Sequence, residues 1–193
     1  MLRLTTTIVL AAALLGCDAK TTEQNAPSND PTTTQAPTGI PAETYLTERP
    51  ADVLDLVEIK KSAKAGDTVV FLARVGGRVK PFAEKQAIFV AADPSLKSCE
   101  LMSTEDYCTM PWDYCCTSRE DLKRGTATIR ILGDDGRPVA TSAQGAGGLE
   151  PLKFIVVAGT VSDRNDEGLF VVDADRIWVG GKPTYEEPRK GST

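Results

Sequence analysis

Four cysteines crowd one stretch of this chain: Cys99, Cys108, Cys115 and Cys116, with eight, six and zero residues between them. Sulfur at that density can do three kinds of chemistry. It can bridge, since four is an even number and two disulfides would use all of it. It can bind a soft cation, either zinc in a tetrahedron of thiolates or Cu(I) with help from the thioethers of Met102 and Met110. It can also exchange electrons as a labile pair, although the C-x-x-C motif that tunes such pairs is missing. A Cys115–Cys116 ring would force the intervening peptide out of its normal geometry. Two pairings then remain open: Cys99–Cys115 with Cys108–Cys116, or Cys99–Cys116 with Cys108–Cys115. Adjacent cysteines also fit one metal tetrahedron poorly, so bridging is the expectation. No cofactor is required by it, and zinc or copper is the alternative.

Other chemistry is thinly represented. The chain has no histidine, which excludes Ser-His-Asp and Cys-His machinery. Glu105 and Asp106 are adjacent acids that read as solvated loop charges rather than a facing acid–base pair. Asp163, Asn165, Glu167 and Gly168 mimic the start of a calcium loop, but Ala174 stands where a bidentate glutamate is needed. A plain turn is expected there. The Gly76-Gly77 pair reads as a strand bend, because no Lys-Ser/Thr follows it as a phosphate loop requires. The expectation is a protein that is not an enzyme.

The elements around the cysteines are mainly β. Segments 68–77, 86–93, 126–132, 153–162 and 169–179 are rich in β-branched residues, and 137–142 is a weaker sixth candidate. Before them, Val53, Leu54, Leu56, Val57, Ile59 and Ala63 recur at helical spacing, with Pro50 and Asp52 suited to a first turn. The cysteines lie in an insertion, 94–125, between the second and third strands. It has little apolar content of its own. Closing a loop of about 16 residues within it would contribute roughly 3 kcal/mol. Trp112, Asp113 and Tyr114 beside the cysteines are the expected contact residues for a ligand.

Such a sheet must hide its apolar face by closing or by packing on a second sheet. The last two strands, with Gly159 and Gly168 at their bends, resemble the closing hairpin of OB-folds. "VFLARVGGRV" resembles the coiled first strand. The expected fold is a small OB-like barrel of five to six strands with one N-terminal helix and a cysteine-rich insertion, spanning 48–179. A small β-sandwich is the alternative.

The ends carry a different message. Arg3, an apolar run from Ile8 to Leu15, and then Gly16 make a secretory signal over 1–16. Leu14-Leu15-Gly16-Cys17 resembles the lipobox of bacterial lipoproteins, which implies a lipidated Cys17. Leu15 is larger than that family's usual residue. Segment 17–47 is dominated by Thr, Pro, Asn and Gln and reads as a disordered tether, as does the tail 180–193. A tether of that length spans roughly 30 Å. Removing Arg3 from the 22 basic residues leaves 21 against 27 acidic ones, a net of −6. That balance argues against nucleic acid as a partner.

The block Pro111-Trp112-Asp113-Tyr114-Cys115-Cys116 resembles a family of uncharacterised exported proteins and lipoproteins of planctomycete bacteria. The resemblance runs through "RVGGRVKPF" and the final strands. Thr109-Met110 departs from it, where a proline-containing pair is expected. That family carries no assigned activity, so the resemblance implies a cell plan only. The combined expectation is a cell-envelope protein facing the periplasm or exterior. It would be held to the membrane through N-terminal lipid and would bind an unknown protein or small molecule.

Overall fold

The structure is a computed structural model that describes residues 39–99 and 110–182. Seven strands run in chain order: β1 (Tyr45–Leu46), β2 (Leu54–Asp55), β3 (Thr68–Val75), β4 (Ile88–Ala92), β5 (Thr126–Arg130), β6 (Phe154–Arg164) and β7 (Phe170–Val179). Two helices accompany them, α1 (Leu56–Ser62) and α2 (Arg119–Gly125).

Five strands close on themselves. β3 pairs antiparallel with β4, β4 antiparallel with β5, β5 parallel with β7, β7 antiparallel with β6, and β6 antiparallel with β3. This is a closed OB-like barrel, and closure removes the open edges that a sheet would otherwise present. Alternation decides the inside: in β3, Val69, Phe71, Ala73 and Val75 turn inward. Phe89, Ile129, Ile155, Val157, Val172 and Ile177 join them from the other strands, and Leu56 of α1 plugs the same core.

Two bends let short strands wrap the barrel. Gly76 and Gly77 take φ of +155° and +103°, and beyond them the chain pairs with β4 again through Val90 N to Pro81 O, 2.8 Å, and a Phe82–Phe89 bridge. In β6 the register with β7 shifts at Ala158/Gly159. A β-carbon on Gly159 would lie 2.1 Å from the Asp173 carbonyl oxygen, so only glycine lets the two strands approach this closely. On the outside, Arg130 and Asp173, opposite each other on β5 and β7, form a two-pronged ion pair at 2.6 and 2.8 Å.

Several expectations need correction. The first helix starts at Leu56, not near Pro50. Asp52 sits at φ +53°, Leu54–Asp55 forms a short strand parallel to β3, and Leu54 is 56% exposed. The buried Asp93 fixes the helix start by accepting the Val57 N–H at 2.7 Å. α2 was not expected. Its start is marked by Ser118, whose hydroxyl accepts the Asp121 N–H at 3.0 Å. Segment 137–142 forms no strand and contributes one bridge, Leu132 to Pro138, since proline has no N–H to continue a ladder.

The ordered domain also reaches further back than residue 48. Tyr45–Leu46 pairs parallel with Ile177–Trp178 of β7, Thr44 is buried, and Ile40 packs on the core. Gly39 and Pro41 share a cleft with the 133–140 loop that follows β5. At the other end, Gly180 and Gly181 exchange backbone hydrogen bonds with Phe154. The signal, Cys17 and most of both predicted disordered segments lie outside the described residues.

Candidate functional site

Two features occupy the end of the barrel where β5 and β7 begin, and the insertion builds both. The first is the sulfur cluster. Sγ of Cys99 lies 3.2 Å from Sγ of Cys115, which lies 3.8 Å from Sγ of Cys116. All three sulfurs fall within 4.8 Å of one another. Cys99 is buried beneath, while Cys115 and Cys116 are exposed. Cys115 and Cys116 are adjacent in sequence, and their sulfurs lie on the same side of the chain. The sulfurs are close, but 3.2 Å is not the bonding distance of about 2.05 Å. Cys108 and Met102 lie outside the described residues, and Met110 is exposed.

Backbone geometry holds the cluster. Pro111–Asp113 makes a single 3-10 turn, and Tyr114 follows in the left-handed region at φ +58°. That reversal drives the Tyr114 ring inward, where it is fully buried with Ala92, Leu96 and Leu122 in a second small core. The turn docks on the glycine bend of β3. Gly77 N–H donates to the Trp112 carbonyl at 2.8 Å, and the Trp112 indole N–H donates to the Val79 carbonyl at 3.0 Å. Thr117 Oγ1 donates to the Lys97 carbonyl at 3.3 Å, tying together the two segments that carry the cysteines. Below them the buried Arg74 donates from a guanidinium nitrogen to Ser98 Oγ at 3.2 Å and lies over the Phe154 ring.

The second feature is a groove of about 530 Å³ on the β4–β5 face. Gly77 and Arg78 of the β3–β4 loop form one wall, Arg119, Leu122 and Lys123 of α2 another. Asn165, Glu167 and Leu169 of the β6–β7 turn form the third, and Val90, Thr128 and Phe170 are on the floor. Arg78, Arg119 and Lys123 outnumber Glu167, so the groove is locally basic in an acidic chain. The β6–β7 turn is closed by its own side chain: Asn165 Oδ1 accepts the N–H groups of Glu167 and Leu169 at 3.0 and 2.9 Å.

Lys60 of α1 buttresses this groove from behind. Its amine donates to the carbonyls of Lys123 and Thr126, both at 2.7 Å, and of Gly168 at 3.3 Å, and it lies 5.5 Å from the centre of the Phe170 ring. Burial, with the nearby Arg164 adding to it, pushes the Lys60 amine down to about 8. One side chain therefore pins α2, β5 and the β6–β7 turn to one another.

Of the expected contact residues, Trp112 and Asp113 are half-buried at the rim of the turn. Tyr114 has no exposed surface and is a packing residue, because its left-handed backbone turns it inward. The groove residues were missed, since they come from four separated segments. The Ser118-x-x-Asp121 cap was the one local sign that α2 exists to form a wall. No protein-family model matches the chain, and no curated protein matches it.

Proposed function

We propose that this chain is a lipid-anchored, extracytoplasmic binding module whose ligand lies in the groove between α2 and the β6–β7 turn. The observation that carries the reading is the groove's construction: three walls over an OB-like barrel face, a partly apolar floor of Val90 and Phe170, and a basic rim. Those features suit a ligand that is extended and bears negative charge. The lipobox-like Leu14–Cys17 supports the anchor. Among the described residues no helix is long and apolar enough to cross a membrane. The resemblance of Pro111–Cys116 to exported planctomycete proteins supports the same cell plan. With no histidine and no paired acid and base in the groove, the reading is binding rather than catalysis.

In this reading the insertion is a brace that carries the α2 wall. It is closed through its sulfurs, either by bridges or by a shared ion, and the close approach of Cys99, Cys115 and Cys116 supports such a closure. The test is titration of isotope-labelled protein with a panel of short acidic peptides and of neutral and anionic oligosaccharides. Amide shifts confined to Gly77, Val90, Thr128, Asn165 and Leu169, and lost in Arg78→Glu, are expected. Shifts mapping to another face would end the reading.

A further inference from the structure

We infer that Cys99, Cys115 and Cys116 are ligands of one soft monovalent cation, Cu(I), bound through their thiolates. A metal–sulfur bond of about 2.3 Å sets ligand sulfurs about 3.8 Å apart in a tetrahedron and about 4.0 Å apart in a triangle. The separations here, 3.2 and 3.8 Å with the third inside 4.8 Å, surround those values. They require only a small adjustment of side chains already gathered.

The ligand set selects the ion. An all-sulfur site with no histidine anywhere in the chain disfavours hard cations, which take oxygen. Thiolate ligands favour soft ions, Cu(I) prominent among them. Access is asymmetric: Cys99 forms the buried floor and the exposed Cys115 and Cys116 the entrance. The surroundings supply stiffness. The buried Arg74 donates to Ser98 Oγ at 3.2 Å and so holds the residue preceding Cys99. The Thr117–Lys97 hydrogen bond and the docked Trp112 carbonyl fix both cysteine-bearing segments before any ion arrives.

This site stands apart from the groove, and its test leaves that reading untouched. The full chain, extracted in detergent and kept anaerobic, is titrated with Cu(I) and Zn²⁺ against chromophoric chelators, with intact mass recorded in parallel. One equivalent of Cu(I) is expected, with an X-ray absorption shell of sulfur alone and preference for Cu(I) over Zn²⁺. Cys116→Ser, on the exposed side where folding is least disturbed, should weaken binding by more than about 100-fold. A mass lower by four hydrogens with no metal bound overturns the inference in favour of bridges. Preference for Zn²⁺, or a Cys116→Ser variant that binds Cu(I) as tightly as the parent, overturns it as well.

Discussion

Gly76 lies against the ring of Tyr114. A β-carbon on Gly76 would sit 2.8 Å from Tyr114 Cε2 and 2.9 Å from the Trp112 carbonyl oxygen. The glycine bend of β3 and the cysteine turn are therefore two halves of one contact. Gly76→Ala should push the turn outward and lower stability by roughly 2 kcal/mol. Urea unfolding would measure the loss. A variant as stable as the parent would mean that the turn does not rest on β3.

Lys60 makes a second testable joint. Lys60→Met keeps the stem but leaves the carbonyls of Lys123, Thr126 and Gly168 without their donor. The expected cost is about 2 kcal/mol. Amide hydrogen exchange should quicken in α2 and the β6–β7 turn while the β3–β6 pairing stays protected.

Tyr45 carries a pH signature. Its hydroxyl is buried with no hydrogen-bond partner, and burial pushes the phenol up to about 12 from its ordinary 10. The neutral phenol is thus favoured in the folded state. Stability from this group is complete below pH 10 and is lost as pH rises toward 12. Tyr45→Phe should raise stability by about 1 kcal/mol at neutral pH by removing the unsatisfied hydroxyl. It should also flatten the alkaline limb of a stability–pH curve. An unchanged limb would assign it to other groups.

Gly159 tests barrel closure. Gly159→Ala places a methyl group into the Asp173 carbonyl, and neither strand can move without breaking the β6–β7 register. A loss of more than about 3 kcal/mol is expected, read as a lower thermal midpoint by circular dichroism.

Cys17→Ser tests the anchor. The variant should leave the membrane fraction for the soluble one, with domain stability within about 0.5 kcal/mol of the parent. Retention in membranes would remove the lipidation reading.

The barrel was legible because its strands are runs of β-branched residues whose alternation is local. "TVVFLARV" and "KFIVVAGTVS" announce themselves without reference to anything distant. β1 was not, because Tyr45 and Leu46 are its only signal and their partner lies on β7. The start of α1 was misplaced because a buried carboxylate distant in sequence, Asp93, decides which N–H begins the helix. The cysteines were recognisable as a unit, but their arrangement depends on the left-handed Tyr114, a backbone choice that Pro-Trp-Asp-Tyr does not advertise. The groove had no linear signature, since β-strand register and the Lys60 joint assemble it.

The chain enters the domain beside the 133–140 loop, past the far end of β5, whereas the insertion joins β5 at its beginning. Five residues of extended strand separate these two poles by about 17 Å. The described chain thus begins at one pole while the thiols and the basic cleft sit at the other, so a ligand lying in the cleft leaves the entry of the chain uncovered.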